Sequence, residues 1–264
     1  MKLGFIGCGN MATAIMNGIL SNGVAVASDM IGSDLSPVSR DRIKDALNIS
    51  VTDDNIKVAR ESDVLFLSVK PQFYEAVISQ VKDVVDDSKL IITIAPGKTL
   101  EWLSKQFGKP LKIVRCMPNT PALVGEGITA ACPNEYITED DLCLVKKILT
   151  SFGKCEVVSE HLMDVVTSVS GSSPAYVFMF IEAMADAAVA DGMPRSQAYE
   201  FAAQAVLGSA KMVLETGKHP GELKDMVCSP GGTTIEAVRV LEEKGMRSAV
   251  FEAMKACTRK SKGM

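Results

Sequence analysis

Leu3-Gly4-Phe5-Ile6-Gly7-Cys8-Gly9-Asn10-Met11-Ala12 places a short apolar run ahead of a G-x-G-x-x-A turn, and an apolar helical pattern through Ala14, Ile15, Gly18 and Ile19 follows. Strand, glycine turn and helix in that order are the context that a dinucleotide fingerprint requires. The first glycine permits the tight turn and the second lets backbone approach a pyrophosphate. The small Ala12 lets helix and strand pack closely while helix amides face the anion. Gly7, Gly9, Asn10, Met11 and Ala12 are therefore the first candidate cofactor-binding residues.

Outward from this unit, apolar runs at Leu3–Ile6, Met30–Ser33, Val64–Val69, Leu90–Ile94 and Lys112–Cys116 alternate with helical patterns. Such alternation predicts a parallel sheet, and runs apolar nearly throughout are those of strands covered on both faces. Residues 1–158 thus read as a doubly wound α/β, Rossmann-type dinucleotide-binding domain. From about 160 the strand signals stop, and helices are expected at 174–191, 195–216, 220–227, 233–244 and 246–260. Residues 159–264 read as an all-α domain. Ser173 before Pro174 looks like an N-cap and N1 pair, Gly192 and Pro194 close one helix and open the next, and Thr233-Thr234-Ile235-Glu236 matches a capping box. Apolar residues such as Met179, Phe180, Ile181, Val189, Phe201 and Leu207 are spread around these helices, among ten alanines between Ala183 and Ala210. Helices of that kind need cover on most sides, which predicts packing against a second copy in a two-fold dimer.

The 264 residues are 47% hydrophobic and 23% charged, which fits a folded globular chain and excludes disordered and collagen-like classes. A net charge of −4 gives no electrostatic reason to bind nucleic acid. The seven cysteines include no C-x-x-C pair and only two histidines are available, so no metal site and a reduced, cytoplasmic chain are expected. Met1 leads straight into a strand pattern, so no export signal is expected. The uncharged stretch Val165–Ile181 is interrupted by Ser170-Gly171-Ser172-Ser173-Pro174, so no membrane span is expected either.

Candidate ligand contacts collect at strand ends, where open parallel sheets bind. Ser33-Asp34-Leu35-Ser36-Pro37 ends the second strand: an acid there favours the NAD ribose, whereas Ser36 and Arg40 could meet a 2′-phosphate, so both NAD (NADH) and NADP (NADPH) stay open. Ser68-Val69-Lys70-Pro71-Gln72, Ala95-Pro96-Gly97 and Met117-Pro118-Asn119-Thr120-Pro121 end three further strands, which makes Val69, Lys70, Pro71, Ala95 and Asn119 candidates for the nicotinamide side. In the helical half, Cys228-Ser229-Pro230-Gly231-Gly232-Thr233-Thr234 leads into a helix capped by Thr233. Free amides at Gly232, Thr233 and Thr234 there could hold a carboxylate.

Taken with Arg115-Cys116-Met117-Pro118-Asn119-Thr120-Pro121, Ser170-Gly171-Ser172-Ser173-Pro174-Ala175-Tyr176 and Lys224-Asp225-Met226-Val227, these motifs resemble pyrroline-5-carboxylate reductase over nearly the whole chain. The resemblance implies NADPH- or NADH-dependent reduction of Δ1-pyrroline-5-carboxylate to L-proline, the last step of proline biosynthesis. It implies that Thr234 is catalytic, beside the imine nitrogen, and that Ser229, Gly231, Gly232, Thr233 and Thr234 bind substrate. It further implies that Asn55 contacts adenosine, that Ser36 meets the 2′-phosphate, and that homodimers form through the helical domain and can build rings, up to a decamer of dimers. Pro96 stands where the family more usually has Ala. A β-hydroxyacid dehydrogenase-like oxidoreductase is the alternative, but it needs a general-acid lysine on the first helix after the junction, and residues 170–182 contain none. A non-catalytic nucleotide-sensing protein is a second alternative, separable by turnover. His161 and His219 lie in no acid, base or ligand cluster and are not expected to be catalytic.

Overall fold

The computed structural model describes residues 1–263. Eight strands, β1 (Leu3–Ile6), β2 (Met30–Ser33), β3 (Ser50–Thr52), β4 (Val64–Leu67), β5 (Leu90–Thr93), β6 (Lys112–Met117), β7 (Gly127–Pro133) and β8 (Gly153–Val157), form one sheet in the order β3-β2-β1-β4-β5-β6-β7-β8. The first six pair in parallel, with Leu3 opposite both Met30 and Val64. β7 runs antiparallel to β6, and β8 runs parallel to β7. The expected strands are all present. β3, β7 and β8 are additions, and β7 makes the sheet mixed where a parallel one was expected.

Alternate residues of the central strands fall on opposite faces, and both faces are dry. Phe5, Phe66, Ile92 and Val114 face one layer with Ile15, Ile19 and Ile148. Ile6, Leu65, Leu67, Ile91 and Ile113 face the other with Val77, Ile78 and Leu103. Phe5 and Phe66 stack with ring centroids 4.5 Å apart across the β1–β4 pair. The strand order reverses between those two strands, so the crevice at their carboxyl ends is the switch point where such sheets take ligands.

The chain divides into two compact units, Met1–Ser172 with Cys257–Met264, and Ser173–Ala256. In the second, the helices Ser173–Ala190, Arg195–Thr216, Pro220–Val227 and Thr233–Glu243 are followed by Met246–Lys262, whose last turns belong to the first unit. Large apolar side chains stand bare on this second unit, among them Phe178 (61% exposed), Met179 (68%), Phe201 (67%) and Phe251 (60%).

Two cap readings are corrected. Ser173 is the first residue of its helix and not its cap, and the π turn at Thr167–Gly171 leads into it through Ser172, so Glu160–Ala190 forms one helical run. The Ser-Gly-Ser-Ser-Pro segment therefore does not break the apolar stretch. The run has 31 residues and a mean hydropathy of 1.2 over its best window, so it is long and apolar enough to cross a membrane. Thr233 is the first residue of its helix and not its cap: Gly232 occupies the N-cap with no side-chain bond, and Glu236 pairs instead with Arg239 at 2.8 Å. Pro194 is an N-cap, and Gly192 closes the preceding helix at φ +97°.

Candidate active site

Gly7 leaves β1 at φ +99°, and a Cβ built there would lie 2.8 Å from the backbone C and O of Ser68 and from the amide nitrogen of Val69. No side chain fits, so only glycine lets the turn after β1 press against the end of β4. The Ser68 hydroxyl fastens the same junction, donating to Ile6 O (3.1 Å) and Gly7 O (2.8 Å). Gly9 differs: a Cβ there meets nothing within 4 Å. It is the N-cap of the twelve-residue helix Asn10–Ser21 and offers no side-chain cap, so the helix opens onto free space with its first amides unclaimed by the helix. An open backbone surface at a helix N-terminus fits a pyrophosphate. Asn10 is exposed, Met11 half-buried and Ala12 buried against the sheet.

The adenosine side is built from strand ends β2 and β3. Ser36 caps the helix Pro37–Leu47, its Oγ accepting the Ser39 amide at 3.3 Å. Asn55 Oδ1 accepts the buried Ser33 hydroxyl at 2.6 Å, and its Nδ2 donates to Gln80 Oε1 at 2.8 Å. Gln80 carried no sequence signal, because an exposed helical glutamine has no motif around it. Burial first, and then the Asp34 charge, push the Cys8 thiol up to about 12, so it stays a neutral packing group.

On the nicotinamide side, Val69, Lys70 and Pro71 continue from β4, with Lys70 exposed and Pro71 opening a short turn. Ala95 is buried just beyond β5. The fully buried Tyr74, which drew no attention in the sequence, ties the two strand ends together. Its hydroxyl donates to Leu67 O at 2.5 Å and accepts the Ile94 amide at 3.3 Å. Asn119 follows β6, accepts the Ile128 amide at 2.9 Å and donates to Ser170 O at 3.1 Å. The structure thus brings Gly7, Gly9, Asn10, Met11, Ser36, Asn55, Val69, Lys70, Pro71, Ala95 and Asn119 to one edge of one sheet.

Ser229, Gly231, Gly232, Thr233 and Thr234 form a loop of the second unit. Gly231 turns at φ +65°. One expectation is revised here: the Gly232 amide is not free, since it donates to Ser229 O at 3.0 Å. The first-turn amides of Thr233, Thr234 and Ile235 have no acceptor within the helix. Among the described residues, no group of three or more His, Cys, Asp and Glu is placed to hold a metal ion.

Sheet order, glycine turn and strand-end contacts define a Rossmann-type nucleotide-binding chain carrying a separate helical unit. The profile described as NADP oxidoreductase, coenzyme F420-dependent, matches residues 2–97, and the profile described as pyrroline-5-carboxylate reductase dimerisation matches residues 160–264. The pyrroline-5-carboxylate reductase of Escherichia coli K12 is 53% identical over 260 residues, covering 98% of this chain and 97% of that protein. Two solved structures superpose with a TM-score of 0.91. The Plasmodium falciparum pyrroline carboxylate reductase with NADP bound is 33% identical and covers 100% of this chain and 97% of its own. The Coxiella burnetii pyrroline-5-carboxylate reductase is 35% identical, at 99% and 97%. The chain belongs to the pyrroline-5-carboxylate reductase family, a family of NAD(P)H-dependent oxidoreductases that catalyse the last step of proline biosynthesis.

Proposed function

We propose that this chain reduces Δ1-pyrroline-5-carboxylate to L-proline as a homodimer in the cytoplasm, with the coenzyme on the sheet edge and the substrate on the Ser229–Thr234 loop. The carrying observation is the pairing of a glycine turn shaped for a pyrophosphate with near-full-length likeness to reductases of that name. Gly7, Gly9, Asn10, Met11 and Ala12 form the cradle for the pyrophosphate, Ser36 and Asn55 hold the adenosine end, and Val69, Lys70, Pro71, Ala95 and Asn119 line the nicotinamide end. Bound NAD(P)H supplies the hydride that C5 of the cyclic imine accepts.

The remaining work belongs to the chain's own groups. The amides of Thr233 and Thr234, with the Ser229 hydroxyl, take the substrate carboxylate at the helix N-terminus. The Thr234 hydroxyl donates to the imine nitrogen, so that charge leaving the C=N bond meets a hydrogen-bond donor. Holding the carboxylate at a distance from C5 fixes the ring orientation and removes the entropy of a bimolecular encounter.

The helical unit of residues 159–264 pairs two copies. Its bare Phe178, Met179, Phe201 and Phe251 support that reading, as does the dimerisation profile over the same segment. The apolar run Glu160–Ala190 lies within that profile, so a second chain, and not lipid, is its cover. Dimers can close further into rings, up to a decamer of dimers, without change to the site. The test is consumption of NADPH or NADH by the purified chain with pyrroline-5-carboxylate, together with detection of proline. Coenzyme oxidation without proline would reject the reading.

A further inference from the structure

Among the described residues Arg115 is the only charged side chain that is buried, 6% exposed, and it lies on β6 opposite Thr93 of β5 and Cys132 of β7. Its Nη1 donates to Glu160 Oε1 at 2.8 Å, and the same carboxylate oxygen accepts the Leu100 amide at 2.7 Å. Glu160 opens the helical run Glu160–Ala190, whereas Leu100, sixty residues earlier, is the first residue of the helix Leu100–Phe107. The first amide of a helix has no acceptor within it. A carboxylate from a distant part of the chain therefore completes this helix start, where the helix dipole also favours negative charge.

Stability alone does not account for the ion pair. A buried guanidinium loses its hydration, and a well-packed apolar pair of similar volume is often as stable or more so. What the pair does fix is the place of residues 94–99, between β5 and that helix. At their entrance the Tyr74 hydroxyl accepts the Ile94 amide at 3.3 Å. At their exit Glu160 accepts the Leu100 amide, next to Thr99, whose Oγ1 caps the helix by accepting the Trp102 amide at 3.1 Å. Between the two anchors Pro96 has a fixed φ and Gly97 turns at φ +75°, the residue order of a type II turn. Such a segment shifts as one piece when an anchor moves, and Ala95 travels with it.

Resting on the reductase reading, in which Ala95 lines the nicotinamide end, we infer that Glu160 is a positioning residue for hydride transfer. Its carboxylate sets the height of residues 94–99 at the sheet edge through the Leu100 amide, and Arg115 holds that carboxylate in place. The nicotinamide then lies against a surface fixed at both ends, so its C4 meets the imine carbon in one orientation.

The experiment compares full-length variants by the single-turnover rate of coenzyme oxidation with pyrroline-5-carboxylate, by the Tm, and by affinity for ADP-ribose or its 2′-phosphate, the coenzyme without its nicotinamide. Arg115→Met/Glu160→Leu replaces the ion pair with apolar side chains. Its Tm stays within about 4 °C of wild type and its ADP-ribose affinity within about twofold, while the rate falls by about tenfold to hundredfold, as for reactants misplaced by about an ångström. Glu160→Gln reverses the pattern. It keeps an oxygen for the Leu100 amide but leaves Arg115 without a counter-charge, so its Tm falls further than that of the double variant and its rate by about threefold at most. Glu160→Met has nearly the same length and no acceptor; a rate at least about tenfold below that of Glu160→Gln preserves the test if the double variant folds poorly. A rate that follows the Tm, with the double variant at wild-type speed or Glu160→Gln as slow as Glu160→Met, would make the pair purely structural and overturn the inference. So would a loss of ADP-ribose affinity as large as the loss of rate. A wild-type chain that oxidises no coenzyme with pyrroline-5-carboxylate would remove the reductase reading itself, and this inference with it.

Discussion

One methyl group, added at Gly9 or at Gly7, separates a glycine that serves the ligand from one that serves the fold. At Gly9 the backbone is extended, φ −75° and ψ −174°, a conformation any residue adopts, and the added Cβ meets nothing within 4 Å. Gly9→Ala should therefore leave stability within ~0.5 kcal/mol, the range of an unobstructed surface substitution. The methyl group stands on the open backbone face at the start of the helix Asn10–Ser21, where we place the pyrophosphate, so coenzyme affinity should fall by about tenfold or more. At Gly7 the position is reversed. A positive φ of 99° costs a non-glycine residue ~1–3 kcal/mol. Its Cβ would also sit 2.8 Å from Ser68 and Val69 backbone atoms, which cannot swing aside, adding ~1–3 kcal/mol of overpacking. At ~2–4 °C per kcal/mol for a chain of this size, Gly7→Ala should lower the Tm by roughly 4–24 °C. The assay pairs thermal unfolding with titration of NADP+ followed by the fluorescence of Trp102, the chain's single tryptophan. Unaltered coenzyme binding in Gly9→Ala, or an unaltered Tm in Gly7→Ala, would overturn the roles given to these two glycines.

Thr234→Ala should lower kcat/KM by ~10²–10³, the usual worth of one preorganised donor, with the Tm nearly unchanged; full activity would remove the assignment to the imine nitrogen. Tyr74→Phe deletes a fully buried hydroxyl that bridges β4 and β5, so unfolding should become easier by ~1–3 kcal/mol, and KM for the coenzyme should rise because Ala95 follows directly. A stability loss with no change in KM would confine Tyr74 to the core. Phe178→Glu places a charge on the bare helical surface and should convert the proposed dimer to monomers in sedimentation, without detergent; a variant that stays dimeric would move the interface elsewhere.

Much of the fold was legible because its signals are local. The run Leu3–Ile6 is buried at every position, and the glycine turn and helix that follow each carry their own chemistry. The missed strands lack such signals. β3 is three residues at the sheet margin, β8 interleaves Lys154 and Glu156 at the opposite margin, and β7 is rich in small residues and sits where its partner strand, not its own pattern, selects it. Ser173-Pro174 misled for a physical reason. Proline cannot donate to the carbonyl four residues back, which is Ser170 O, and that carbonyl is satisfied instead by Asn119 from a distant loop. No inspection of neighbouring residues shows such a partner. Asp34 teaches the same lesson at the site: the residue type suggests a ribose contact, whereas the structure shows the bonds to Cys8 and Ser36. Thr233 and Gly232 differ by one place in the helix, and helix starts are read from sequence no more finely than that.

If this chain moves a hydride to C5 of a cyclic imino acid, isotope transfer reads that step itself. Incubation with pyrroline-5-carboxylate and NADPH carrying deuterium at both hydrogen positions on C4 of the nicotinamide should yield L-proline with one deuterium at C5 for each coenzyme oxidised. Proline free of the label, or coenzyme oxidised with no proline formed, would contradict the account.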